Sequence, residues 1–277
     1  MSKRLLSAIC LFIVLFCPLV ARAEMTVDLT VVGSSTSTAT SATCGNASPS
    51  SNIAAGDPVI AAVFAHTTGV GTSGNTTVAS VSDSDGNTWV RLAEYSTAVG
   101  GTNDYLVGLY LTVLAAQLAT SDTVACNTGN GSSIGKVLHI YRASFSGGGQ
   151  TYQNDGASGS NGNSTSYTST APTVSNVQRV WIGAVVGRNT AGTLNCDSNF
   201  ACGGQTEADN GNANQSVRGL FGWATLTTTG EAFNGTISGT QQWGAIVVAL
   251  DEISVGGGAS TDCQNLLLTG VGGPCSA

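Results

Sequence analysis

Charge is scarce in this chain: Asp, Glu, Lys and Arg make up 9% of its 277 residues. Lysine is scarcer still, since Lys136 is the only one after Lys3. Nucleic acid and anionic lipid are held by clustered Lys and Arg, so neither is expected as a partner. There are two histidines, His66 and His139, and no C-x-x-C pair, which weighs against a zinc site. No G-x-S-x-G elbow is present to raise a serine nucleophile. The glycine cluster GVGTSG lacks the lysine of a phosphate-binding loop, and no cofactor is expected. Beyond the N-terminal segment no apolar run is long enough to span a membrane.

That N-terminal segment reads as an export signal. Lys3 and Arg4 precede an apolar run, Leu5 to Val20, broken only by Ser7 and Pro18. Ala21-Arg22-Ala23 then offers a small-x-small cleavage site, which places the cut before Glu24. Cys10 and Cys17 are poor lipid-attachment sites, because Ile9 and Phe16 precede them. Cleavage leaves six basic residues against 16 acidic ones, a net charge of −10. The expected setting is secreted or cell-surface.

Six cysteines remain: Cys44, Cys126, Cys196, Cys202, Cys263 and Cys275. In an exported chain disulfides are the default reading. Short-loop closure favours Cys196–Cys202 within LNCDSNFACGG and Cys263–Cys275 across the tail, which leaves Cys44–Cys126.

The apolar runs are short and bounded by Gly, Asn, Asp, Ser or Thr. Met25–Val31 alternates as a half-buried strand does, and Pro58 to Ala65 (PVIAAVFA) is apolar throughout, as a strand buried on both faces is. Further runs lie at 77–83, 88–95, 105–114, 122–126, 136–145, 179–187, 217–227, 232–238 and 242–250. About ten strands without a convincing helix predict an all-β chain, a single disulfide-stapled β-sandwich of jelly-roll or immunoglobulin-like type. Leu111–Thr120 is the one stretch with fair helix formers. The expected division is a signal peptide over 1–23, a sandwich domain over 24–252, and a Gly-rich joint with a disulfide-tied tail over 253–277. The glycine-rich stretch before Tyr167, NDGASGSNGNS, reads as an exposed loop.

The string Ser82–Trp89, SDSDGNTW, admits two readings. Asp83, Asp85 and Asn87 space three oxygen side chains as a calcium loop does. The sixth position of such a loop demands glycine, and Thr88 stands there. Asp85-Gly86 also suits a two-residue type I′ turn. Centred there, Val81 faces Val90, Ala79 faces Leu92 and Ser80 faces Arg91, a register that separates apolar from polar pairs. The hairpin explains more residues and is the expectation, with calcium at Asp83, Asp85 and Asn87 as the alternative. On the hairpin reading, Gly86→Val is expected to be far more damaging than Asp83→Ala.

SVSDSDGNTW, then DYLVGLYL, DTVAC and VLHIYRAS, with RVWIGAVVG and WGAIVVAL later, resembles a β-sandwich module of secreted bacterial and phage-particle proteins. Its hairpin is written S-V-x-D-x-x-G-N-x-[WY]. The resemblance spans roughly Ala54 to Leu250. It implies a fold and an extracellular setting, and it implies no catalytic residue. The six cysteines depart from the module's usual pattern.

Catalytic constellations are thin. His139 sits mid-strand among apolar neighbours, and His66 ends a strand. Asp104, Asp155, Asp197, Glu207, Asp209 and Glu231 all lie in or beside turns, and nothing pairs two of them across a cleft as a glycosidase requires. Trp181 and Trp243 sit in apolar runs and read as core. Strand alternation puts Trp89, Arg91 and Tyr95 on one polar face, which makes them the candidate ligand surface. The leading reading is an extracellular, non-catalytic structural or adhesive protein. The N-terminal strand Met25–Val32 has two readings: it folds back on its own domain, the favoured one, or it completes a neighbour's sheet, which would make self-association the partner contact. A carbohydrate-binding module using exposed aromatics, with a glycan as partner, is the alternative, and a secreted hydrolase the second. The exported protein is expected to carry three intramolecular disulfides. Mass spectrometry after alkylation without reduction should find no modified cysteine, and any alkylated site in the folded protein contradicts this.

Overall fold

The computed structural model of the protein describes residues 27–37, 43–68, 78, 80–98, 103–128, 133–145, 151–188, 193–203, 206–208 and 217–253. The signal segment, Met25, Thr26, Cys263, Cys275 and the Gly-rich joint lie outside the described residues.

The described chain is all-β. Its strands are β1 (Val27–Ser37), β2 (Pro58–Thr68), β3 (Ser80–Asp83), β4 (Val90–Ala98), β5 (Asn103–Val113), β6 (Val124–Asn127) and β7 (Ser133–Phe145). They continue with β8 (Thr151–Thr168), β9 (Val177–Arg188), β10 (Leu194–Cys196), β11 (Ala201–Cys202), β12 (Thr206–Ala208), β13 (Val217–Thr228) and β14 (Asn234–Ile253). The first half of the chain builds one antiparallel sheet in the order β1-β7-β2-β5-β4. The second half builds the other: β14 lies between β8 and β9, β13 follows β9, β10 adds to β14, and β11 and β12 add to β13. A third sheet, β3-β6, has only two short strands.

The two large sheets face each other across a shared core. The first contributes Ile60, Phe64 and Leu109, and the second Ile182, Phe221 and Val248. Each large sheet is also covered on its outside. Val59, Ala61, Val63, Leu106, Leu138 and Ile140 lie under a layer made by residues 43–53, β3 and β6. Trp181, Val185, Leu220, Trp243 and Val247 lie under Tyr167, Val174, Phe200 and Phe233. A strand apolar on both faces is stable only with both faces covered, because each buried Val, Leu or Ile side chain contributes about 1.5–3 kcal/mol. This is why PVIAAVFA, RVWIGAVV and WGAIVVAL can be read as strands without alternation.

The outer layer of the first sheet is pinned covalently. Cys44–Cys126 joins the segment after β1 to β6, across 82 residues of sequence. Antiparallel bridges continue the join at Thr43–Asn127, Ala47–Val124 and Ile53–Leu118. Cys196–Cys202 closes the short loop expected from its spacing. Two disulfides fit assembly in an oxidising compartment.

Two expectations change. The segment 114–120 is irregular, held by the Ile53–Leu118 bridge, and forms no helix. The glycine-rich stretch before Tyr167 is part of β8, the long edge strand beside β14. Strand propensity is poor there, but pairing with β14 and ring packing override it. Tyr95 lies over Gly159 and Trp243 over Gly162, where an added Cβ would run into the rings. As the favoured reading has it, β1 pairs with β7 of its own sheet, Val27 opposite Phe145 through Ser37 opposite Lys136, and the donor-strand reading is set aside.

His139 sits on the inner side of β7, with 2% of its surface exposed. Its Nδ1 is 2.8 Å from the Tyr141 hydroxyl, and the Phe64 ring meets it edge-on. Burial pushes its pKa from 6.5 down to about 4. The fold accommodates the neutral imidazole, so between these two values the unfolded chain binds more protons. Stability is therefore complete above pH 6.5 and falls as pH drops towards 4. His139→Phe is expected to remove about 3 kcal/mol of that acid loss. Urea unfolding of both proteins from pH 7 to pH 4 measures the difference, and parallel losses would place the acid sensitivity elsewhere.

Candidate functional site

The SDSDGNTW string is a corner between layers. β3 pairs with β6, Ser80 opposite Asn127 through Asp83 opposite Val124, whereas β4 pairs with β5. The expected β3–β4 hairpin is therefore not formed. Both flanks are strands, as their alternation indicates, but they serve different sheets.

Asp83 organises the corner. Its Oδ1 accepts the backbone N–H of Asp85 (3.0 Å) and of Asn87 (3.1 Å), and the Asn87 side-chain amide (3.2 Å). Its Oδ2 accepts the Trp89 indole N–H at 2.7 Å. Gly86 takes φ +74°, a left-handed conformation that disfavours other residues. Asn87 is 7% exposed, and its Oδ1 accepts the backbone N–H groups of Ala115 (2.8 Å) and Ala116 (3.0 Å). Asp83 thus folds the turn, and Asn87 fastens it to the segment after β5. Ser84 extends the fastening by donating its N–H to Thr123 O and accepting from Thr123 N. The calcium alternative meets a different arrangement, because four N–H donors converge on the oxygens of Asp83. Among the described residues no group of three or more His, Cys, Asp or Glu side chains is placed to hold a metal ion.

Trp89, Arg91 and Tyr95 do not share a face. A β-bulge between Arg91 and Ala93 breaks the alternation: Arg91 lies opposite Tyr110, Ala93 opposite Leu109 and Tyr95 opposite Val107. Tyr95 consequently packs against the inter-sheet core, over Gly159. Trp89 is half-buried against the outer cluster. Arg91 is exposed and sits 3.7 Å from the largely buried carboxylate of Glu94. Glu94 accepts the Val78 N–H at 2.8 Å, and burial raises its pKa, opposed by that N–H, by Arg91 and by Tyr110. Of the large apolar side chains described, Val90 alone is exposed, at 59%.

Other reactive groups among the described residues are engaged as well. His66 is buried and stacks on Tyr105 with centroids 4.8 Å apart. Asp57 pairs with Arg142 at 2.7 Å. Asp155 pairs with Arg179, a buried guanidinium that also donates to Ser175. Asp197 accepts from Asn199 N and Glu231 from the Asn199 amide. The side chains of Asp104 and Glu207 and all of Asp209 lie outside the described residues. The sequence reading missed Asn87 as a clamp and Asp155–Arg179 as a tie. The D-x-x-x-N-x-W spacing around Asp83 was the available signal for the first, and the second joins residues too far apart to show one.

No family model, curated protein or solved structure matches the chain. No helix among the described residues is long and apolar enough to cross a membrane.

Asp83→Ala is expected to cost about 2–4 kcal/mol, since it strands several donors at once. Gly86→Val is expected to cost about 1–3 kcal/mol. This reverses the order expected for a simple hairpin turn. Chemical unfolding of the two variants, with and without calcium, reads it out. A near-neutral Asp83→Ala would contradict the clamp, and a calcium-dependent rise in wild-type stability would restore the ion.

Proposed function

We propose that the protein is an extracellular, non-catalytic structural or adhesive β-sandwich that assembles at the cell surface. The observation that carries this reading is where the reactive groups are placed. His66 and His139 are buried inside the sandwich, and Asp57, Asp83, Asp155, Asp197 and Glu231 hold backbone, indole, amide or guanidinium groups. The apolar faces of the central strands in both large sheets are covered by other parts of the chain, which leaves strand edges and polar surface for contact. The export signal, the disulfides and the resemblance to secreted and particle-associated modules agree with such a role. The home pairing of β1 moves the expected contact away from the N-terminal strand and towards the other edges.

The test is fractionation of producing cells with negative-stain electron microscopy of the exported, oxidised protein. The protein is expected outside the cell, in ordered assemblies or bound to surfaces. A strictly soluble monomer that turns over a polysaccharide or ester substrate would overturn the reading. Saturable binding on a glycan array, lost in Trp89→Ala, would transfer it to the carbohydrate-binding alternative.

A further inference from the structure

We propose that β8 is the docking edge for a second copy of this chain, the two β8 strands pairing antiparallel about Ser160. The proposal rests on the self-assembling reading above and gives it a surface.

Among the described strands β8 pairs on one side only, with β14. From Gly156 opposite Ala249 to Ser164 opposite Gln241 its register is unbroken. That regular stretch is about 30 Å long. An edge of this kind presents unpaired backbone groups to another strand, and proteins normally blunt it with charge, proline, bulges or brevity. The other described edges of the large sheets carry such devices. β4 has its bulge at Leu92 and the Arg91–Glu94 pair, β10, β11 and β12 have three, two and three residues, and β1 shifts register between Val31 and Gly33. The stretch 156–164, GASGSNGNS, holds no proline and no ionisable side chain. Its flanking Asp155 is already neutralised by Arg179. In a protein of mature net charge −10, this strip adds no like-charge repulsion of its own.

The stretch is also complementary to itself. A two-fold at Ser160 sets Gly159 opposite Asn161, Ser158 opposite Gly162, Ala157 opposite Asn163 and Gly156 opposite Ser164. Every asparagine then meets a glycine or an alanine, and no bulky pair holds the backbones apart. Ser160 meets its own copy. Such an isologous contact is the usual form of a homodimer, and it would run the second sheet continuously through both copies. The Thr170 hydroxyl donates to Gly159 O at 3.3 Å, a long bond that an incoming backbone amide can replace.

The test uses the exported, oxidised chain in sedimentation velocity over a wide concentration range, with two single-cysteine additions. Wild type is expected to self-associate reversibly. Ser160→Cys is expected to form a covalent dimer under mild oxidation, while Ser158→Cys, set opposite a glycine, stays largely monomeric on a non-reducing gel. Ser160→Lys opposes two like charges at the centre and is expected to weaken association at least tenfold, with an unchanged melting temperature at concentrations where both proteins are monomeric. If wild type associates but the two cysteine variants cross-link equally or not at all, or Ser160→Lys associates normally, the β8 contact is wrong and the assembly reading stands. A wild type that stays monomeric at every concentration overturns both.

Discussion

Strands apolar on both faces impose the constraint from which the rest of this structure follows. β2, β9 and β14 each bury Val, Ile, Ala or Phe on alternate sides. Two sheets packed together satisfy only the inner sides. The outer sides need cover, and a chain with so little charge and few bulky side chains has to supply that cover from its own connections. On the first sheet the cover is residues 43–53, β3 and β6, and on the second it is the loops carrying Phe200 and Phe233. Connections make poor cover unless fastened, because loose backbone trades its hydrogen bonds with water. The disulfide Cys44–Cys126 and the Asp83–Asn87 clamp are the fasteners on the first sheet.

Much of this was legible in sequence, for reasons that differ by element. PVIAAVFA and WGAIVVAL announce doubly buried strands because no solvent-facing position interrupts them. Cys196–Cys202 was legible because six residues leave little choice of partner. The corner at Asp83 was half legible. Positive φ at Gly86 follows from the Asp-Gly pair, but whether the flanking strands pair with each other or with strands elsewhere is decided by long-range packing. The bulge at Leu92 left no mark in sequence, and it alone moves Tyr95 from the candidate surface into the core. β8 was hidden for the opposite reason: its glycines read as a loop until Tyr95 and Trp243 are seen resting on them.

The same economy shapes the functional reading. Among the described residues, Asp57, Asp83, Asp155, Asp197 and Glu231 are occupied as turn and strand fasteners, and the histidines as interior packing. Under the proposed reading, β8 supplies the edge through which the covered sandwich pairs with a second copy.

The fastened outer layer and the sandwich should open and close as one cooperative unit. Native-state hydrogen exchange of the oxidised protein tests this most directly. The amides of Ala47, Ile53, Leu118 and Val124, which bond across the outer layer, should exchange as slowly as those of β2 and with the same denaturant dependence. Exchange of these amides through a separate, lower-energy opening, while β2 stays protected, would show that the cover detaches on its own and would contradict the account.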